Sequence, residues 1–173
     1  GVEVTLQASD GDFDSIVPSL ESGKGHVALG GMTVTEERQQ QVDFSEPYIS
    51  SSQYIIQPEG SNLQTMADLA GKRIGAQLGT TGDILISDEI ASGSLAGTGA
   101  TISQYKSALE AGMDLANGRL DAVVIDQYPA AAIASQMEGL KVSDASISDS
   151  ESYAVAVAKG NEDLLEVINA TID

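Results

Sequence analysis

The feature that most constrains the fold is an uninterrupted apolar run from Ala122 to Ile125, followed directly by Asp126. A strand made only of apolar residues must be covered on both faces, which is typical of a sheet between two layers of helices. Along the whole chain, segments in which apolar and polar residues alternate, as in strands, are followed by segments in which apolar residues recur at helical spacing. The sequence therefore predicts an α/β fold with mainly parallel sheets.

Two polar segments, around residues 57–60 and 143–152, enclose a complete set of strands and helices. We interpret these segments as linkers around a lobe that is inserted into another lobe. Lobe 1 would comprise residues 1–57 and 151–173, and lobe 2 would comprise residues 58–150.

The composition excludes several classes of function. The chain has 26 acidic and 8 basic residues, a net charge of −18, which argues against nucleic acid and anionic membranes as partners because both require a basic surface. No apolar run is long enough to span a bilayer, and the first residues look structural, so we expect no signal peptide in this chain. Without cysteine, and with His26 as the only histidine, we expect no metal, no cofactor and no catalytic residue.

The clearest candidate for a binding site is the stretch over residues 30–38. Gly31 follows an apolar strand, Thr33 offers a hydroxyl, and Thr35 is a good N-cap for a helix whose first turn contains Arg38. A cation is unfavourable at this end of the helix macrodipole, so Arg38 indicates a site for an anion such as a carboxylate. The alternative is a surface arginine paired with an acidic neighbour on a solvated helix.

Two features of lobe 2 are also candidates for a ligand-binding site. The turn over residues 79–82 follows a strand and opens a helix, so its free amides favour an anion, although it could also be an ordinary capped helix start. Asp126 follows the buried strand and would lie in the crevice where α/β sheets bind ligands, or else serve as the N-cap of the next helix.

Together these groups predict a carboxylate clamp that faces an ammonium acceptor across two lobes. The clamp would consist of Arg38, Thr33 and the Thr81 amide. The acceptor would consist of Asp126 and the Gly31 carbonyl. Such an arrangement is a receptor for a zwitterion.

Eight short motifs occur in a fixed order over essentially the whole chain: DFDSIVPSL at 12–20, SGK at 22–24, GMTVTEER at 31–38, FSEPY at 44–48, DLAGK at 68–72, GTT at 79–81, GRLDAVVID at 118–126 and YAVAVAKGN at 153–161. As an ordered set they resemble the bacterial extracellular solute-binding proteins of family 3, the receptor subunits of ABC importers for polar amino acids. The resemblance implies a two-lobed, type II periplasmic-binding-protein-like clamshell that closes around a free amino acid with a polar side chain. It also implies ABC permease subunits as partners, and an exported protein that is extracellular, periplasmic or a cell-surface lipoprotein.

The resemblance also implies roles for individual residues. Arg38 would hold the α-carboxylate with help from the Thr81 amide. Gly31, Thr33 and Asp126 match the positions that take the α-ammonium group. Two further positions concern the ligand side chain: Phe13 matches an aromatic residue that packs on it, although it could be an ordinary core aromatic, and Gln77 matches a residue that helps to select it.

Two other functions stay open. Some relatives are dehydratases of cyclohexadienyl acids such as prephenate and arogenate, and Asp126 or Glu46 could nominally supply the general acid that this reaction needs. The chain could also be the ligand-sensing domain of a larger receptor.

The chain departs from the family pattern at its ends. The resemblance implies a missing first strand and helix and a missing C-terminal end, and therefore a truncated first lobe. The alternation of Val2, Val4 and Leu6 predicts a strand over residues 2–7 with an unpaired edge. Such an edge can pair or exchange with a second chain, so we expect a homodimer or strand exchange through lobe 1.

Overall fold

The computed structural model describes residues 3–8 and 12–172. Within these residues the strands are β1 (Val27–Ala28), β2 (Val42–Phe44), β3 (Ile49–Ser51), β4 (Gln53–Pro58), β5 (Arg73–Gln77), β6 (Thr101–Tyr105), β7 (Ala122–Asp126), β8 (Leu140–Val142), β9 (Glu151–Tyr153) and β10 (Ala156–Ala158). The α-helices are α1 (Ile16–Glu21), α2 (Glu36–Gln41), α3 (Thr81–Ala91), α4 (Ala108–Ala116), α5 (Gln127–Gln136) and α6 (Glu162–Ile172). Short 3-10 turns lie at Phe13–Ser15 and Met66–Leu69.

The larger sheet contains five strands in the order β6-β5-β7-β4-β8. Strand β5 is parallel to both β6 and β7, whereas β4 is antiparallel to both of its neighbours. The α/β class is therefore confirmed, but the prediction of mainly parallel sheets is wrong. Only a short 3-10 turn lies between β4 and β5, and a strand connected without a helical crossover is free to run in the opposite direction.

Strand β7 is buried along its whole length, as the apolar run predicts. Its side chains alternate between the two faces of the sheet: Val123 and Ile125 pack in one apolar cluster, and Ala122 and Val124 in another. The first cluster also contains residues of α4 and α5, and the second contains Ile86 of α3. The larger sheet is thus the middle layer of three.

The smaller sheet contains β1, β10 and β2, all antiparallel. It packs on α1 through a compact apolar cluster whose fully buried members are Leu20, Met32, Val42 and Ala156. Strands β3 and β9 form a separate antiparallel pair between the two sheets. We call this pair the hinge, because β3 leads into β4 of the larger sheet and β9 leads into β10 of the smaller one.

The predicted lobe boundaries, at 57/58 and 150/151, stay a prediction. Strand β4, most of which that division assigns to lobe 1, is hydrogen-bonded within the larger sheet. In the structure, we use lobe 1 for the part of the chain around the smaller sheet and lobe 2 for the part around the larger sheet, including β4.

The strand predicted over residues 2–7 is wrong for the part of it that the structure describes. Residues 3–8 have no regular structure, and Val4 and Leu6 are 74% and 92% exposed. Alternation creates a strand only where a neighbour accepts and donates the ladder hydrogen bonds, and none of the described strands pairs with this segment. Across the described part of the chain, none of the helices has the length and apolar character needed to cross a membrane.

Candidate functional site

Arg38 lies in α2 and is buried, with 8% of its surface exposed. Thr35 caps the helix by accepting a hydrogen bond from the Arg38 amide, as predicted. The guanidinium donates to the Thr33 carbonyl at 2.9 Å within lobe 1 and to the Gly79 carbonyl at 3.0 Å in lobe 2. It also lies 5.3 Å from the centre of the Phe13 ring, within the range of a cation–π contact. The alternative of a solvated surface arginine is therefore wrong.

Lobe 2 contributes residues from the carboxyl ends of two parallel strands. Gln77 ends β5 and Asp126 ends β7, and these strands are neighbours in the sheet. Thr81 is the first residue of α3, which Thr80 caps by accepting a hydrogen bond from the Asp83 amide. Helix α3 thus begins at the edge of the sheet where α/β folds bind ligands.

A cavity of about 360 Å³ lies between the two lobes. All seven predicted site residues line it: Phe13, Gly31, Thr33, Arg38, Gln77, Thr81 and Asp126. The rest of its wall is formed by Gly30, Thr80, Ala108, Ile125, Tyr128, Pro129 and Tyr153. The size is in the range of sites for small molecules, and the predicted residues are brought together from both lobes.

Several of these residues have a structural contact as well. Phe13 packs against the lobe 1 core and also lines the cavity. It is therefore a core aromatic, as the predicted alternative had it, as well as a residue of the cavity wall. Asp126 occupies the N-cap position of α5 but makes no capping hydrogen bond. The Gly31 amide donates to the Tyr48 hydroxyl at 3.1 Å, and the Gln77 side chain donates to the Lys106 carbonyl at 2.9 Å.

A polar network that no sequence motif indicated lies at the hinge side of the cavity. Glu151, in β9, accepts hydrogen bonds from the hydroxyls of Thr33 at 2.8 Å and Thr81 at 2.6 Å. The side-chain amide of Gln53, which is fully buried at the start of β4, donates to Thr81, Asp126 and Glu151 at 3.1 to 3.2 Å. Glu151 lies in the polar segment interpreted as a linker, where nothing local distinguishes it from its acidic neighbours.

Burial dominates the electrostatics of the two charged groups in the wall. It raises the pKa of the Asp126 carboxyl, and the negative charge of Glu151 acts in the same direction, while hydrogen bonds from Tyr153 and Gln53 oppose the shift. Burial also lowers the pKa of Arg38, although the charges of Glu151, Asp126 and Glu37 oppose that shift. Burial thus disfavours the charged form of both groups, and the charges of nearby carboxylates offset part of this effect at Arg38.

Comparison with known proteins identifies the family. The chain matches the bacterial extracellular solute-binding proteins, family 3, over residues 1–173. It is 35% identical over 171 residues to the L-arginine-binding protein of Pseudomonas aeruginosa, covering 94% of this chain and 64% of that protein. It is 32% identical over 175 residues to the probable histidine-binding protein of Campylobacter jejuni, covering 100% of this chain and again 64% of the relative.

A solved structure agrees with these relatives. An ancestral arginine-binding protein bound to arginine superposes with a TM-score of 0.85 at 40% identity, covering 93% of this chain and 70% of that one. The fold is thus the two-lobed type II fold of periplasmic binding proteins, although the chain spans less than two thirds of the length of the curated relatives above. The chain belongs to the bacterial extracellular solute-binding proteins of family 3.

Proposed function

We propose that this chain binds a free amino acid between its lobes, as the receptor of an ABC importer. The observation that carries the proposal is that Arg38 of lobe 1 and Asp126 of lobe 2 line the same cavity of about 360 Å³. A free amino acid has one negative and one positive group on a single carbon, and the two side chains offer one opposite charge for each. Closure of the lobes would complete both contacts at once.

The hydrogen bonds of Arg38 leave room for this role. Two of the five guanidinium N–H groups point to the carbonyls of Thr33 and Gly79, so the remaining groups can reach a carboxylate. The Thr81 amide belongs to the first turn of α3, where backbone N–H groups have no partner within the helix and the dipole favours an anion. These two donors would hold the α-carboxylate, and Asp126 would receive the α-ammonium group.

The charge around the cavity favours a cationic side chain on the ligand. Two carboxylates lie at the cavity, since Asp126 lines it and Glu151 lies directly behind its wall. Among the described residues, only one guanidinium, that of Arg38, lines the cavity to balance them. A neutral amino acid leaves this excess of negative charge in place, whereas a cationic one offsets it. The relatives named above are described as binding arginine or histidine, so L-arginine is the first ligand to test.

The remaining proposals concern the whole protein. Members of the family are extracellular solute-binding proteins, so we propose an exported protein, periplasmic or anchored as a surface lipoprotein, that delivers its ligand to ABC permease subunits. Self-association through lobe 1 also remains a prediction, which light scattering can test. Its support is now the exposure of Val27 and Leu29, at and beside the β1 edge of the smaller sheet, at 44% and 71%.

Calorimetry with the standard amino acids tests the binding proposal. We expect L-arginine to bind, and Arg38→Ala to weaken it at least about 100-fold, or about 3 kcal/mol, because a desolvated carboxylate would lose its charged partner. Arg119→Ala is the matched control, since Arg119 pairs with Asp114 on the surface of lobe 2. We expect that variant to bind as the wild type does.

Two outcomes would contradict the proposal. Equal affinity in the Arg38 and Arg119 variants would remove Arg38 from the site. Turnover of prephenate or arogenate by the wild type, without binding of any amino acid, would favour the dehydratase alternative instead.

A further inference from the structure

Glu151 receives hydrogen bonds from both lobes without lining the cavity itself. Its Oε2 atom accepts from the hydroxyls of Thr33 in lobe 1 and Thr81 in lobe 2, and its Oε1 atom accepts from the Gln53 amide at 3.2 Å. Thr33 and Thr81 line the cavity on one side, and a more open groove, which also includes Glu151, on the other. Glu151 thus stands directly behind two hydroxyls of the cavity wall.

The direction of these hydrogen bonds follows from the chemistry of the groups. An ionised carboxylate can only accept, so each threonine must direct its single hydroxyl proton towards Glu151. Each hydroxyl oxygen then has only lone pairs left for anything inside the cavity. Thr81 and Thr33 therefore act as acceptors there.

The Gln53 amide fixes the direction of a hydrogen bond to Asp126 as well. Its nitrogen lies 3.1 Å from the Thr81 hydroxyl and 3.2 Å from each of the carboxylates of Asp126 and Glu151. The nitrogen is a donor towards all three oxygens. The hinge side of the cavity consequently presents the oxygens of Thr33, Thr81 and Asp126. The hydroxyl protons of the two threonines point to Glu151, away from a ligand.

We infer that Glu151 is a positioning residue that fixes this hydrogen-bond polarity and so makes the hinge-side wall selective for a group with donors only. A primary ammonium has three donors and no acceptor, whereas a hydroxyl in the same place brings an acceptor that faces other acceptors. The inference rests on the proposed function, since it concerns the group that discriminates an α-amino acid from its 2-hydroxy analogue. Glu151 acts through the two threonines and does not touch the ligand.

The test compares L-arginine with the 2-hydroxy acid that has the same side chain, in wild type and Glu151→Gln. Glutamine has nearly the shape of glutamate but carries an NH2 group. If this group replaces Oε2, both threonines must accept from it, and if it replaces Oε1, it meets the donor of the Gln53 amide. We expect the wild type to prefer the amino acid, and the preference to fall about tenfold or more in the variant, mainly through loss of amino-acid affinity. Glu166→Gln makes the same change of charge at an exposed position on α6 and should leave the preference unchanged.

The ratio of the affinities for L-arginine and for the 2-hydroxy acid distinguishes this role of Glu151 from a merely structural one. If Glu151 only ties the lobes together, Glu151→Gln weakens both ligands by the same factor, the ratio stays constant, and the inference is overturned. If the variant does not fold, as judged by its melting transition, Thr33→Val repeats the test because it removes one of the accepting oxygens. An unchanged ratio in that variant overturns the inference too.

Failure of the proposed function looks different. If the wild type binds none of the standard amino acids, the proposed function is refuted, and the inference with it. If the wild type binds L-arginine with a strong preference over the hydroxy acid, and the preference survives in both variants, only the inference is refuted.

Discussion

The two lobes contribute to one cavity from cores of very different size. In lobe 2, apolar clusters on the two faces of the larger sheet contain nine and eight buried residues, whereas the lobe 1 cluster contains four, among the described residues. Hydrophobic burial is the main favourable term in folding, so lobe 1 has less intrinsic stability to hold its part of the site. A ligand that contacts Arg38 would therefore stabilise lobe 1 more than lobe 2.

A pair of matched core substitutions tests this difference most directly. Val124 in lobe 2 and Val42 in lobe 1 are both fully buried strand residues. We expect Val124→Ala to lower the free energy of unfolding by about 2–3 kcal/mol, because it opens a cavity between two packed layers. Val42→Ala should cost less, about 1–2 kcal/mol, because its neighbours include half-buried residues that can collapse into the space.

Urea denaturation of both variants provides the measurement, and hydrogen exchange provides the control. The amides of β7 should be the most protected, and those of β2 and β10 less so. Equal losses for the two variants, with equal protection in both sheets, would show that the lobes do not differ in stability.

A glycine at the contact between the lobes permits a second comparison. Gly79 has φ +77°, its carbonyl accepts from Arg38, and a Cβ added to it would lie 2.6 Å from Asp14 Oδ1 of lobe 1. Gly139, with φ +80°, has nothing within 4 Å of such a Cβ. Both alanine variants should lose about 1–2 kcal/mol of stability from the left-handed backbone.

Only Gly79→Ala should also weaken ligand binding, by about tenfold, because it separates the lobes next to Arg38. Thermal melting and calorimetry on the two variants measure the two effects separately. Identical affinities in Gly79→Ala and Gly139→Ala would mean that this contact does not contribute to closure.

The smallest expected effect concerns the carboxylate that lobe 2 contributes. Because burial raises the pKa of Asp126, the folded state binds more protons than the unfolded state between the ordinary pKa and the raised one. Stability falls as the pH rises through this window, and the cost persists at neutral pH. Asp126→Asn should therefore raise the ligand-free melting temperature at pH 7 by roughly 2–4 °C, about 1 kcal/mol, while weakening amino-acid binding.

At acidic pH the gain should shrink, because the raised pKa lets the Asp126 carboxyl of the folded wild type take up its proton before that of the unfolded chain. Asp144→Asn, at an exposed position after β8, is the control and should change the melting temperature little at either pH. A gain in Asp126→Asn that is independent of pH would show that charge burial is not its cause.

Local patterns, together with the family resemblance, were enough to predict the class of the fold and half of the residues that line the cavity. The run from Ala122 to Ile125 predicts a strand covered on both faces, and the structure confirms it. Arg38 and Asp126 could be selected from local signals, because Arg38 lies in the first turn of a predicted helix and Asp126 follows a buried strand. The prediction of Gln77 rests only on the resemblance to the family. The roles of all three residues towards a ligand stay predictions.

The tertiary structure alone decided which segments pair and which polar groups meet. Sequence alternation could not show that residues 3–8 lack a partner strand, nor that β4 runs antiparallel in the larger sheet. The contact between Thr33 and Glu151 joins residues 118 positions apart. A periodic pattern records which face of an element is apolar, but hydrogen-bond partners across a hinge depend on how distant elements are brought together, and no local signal contains that information.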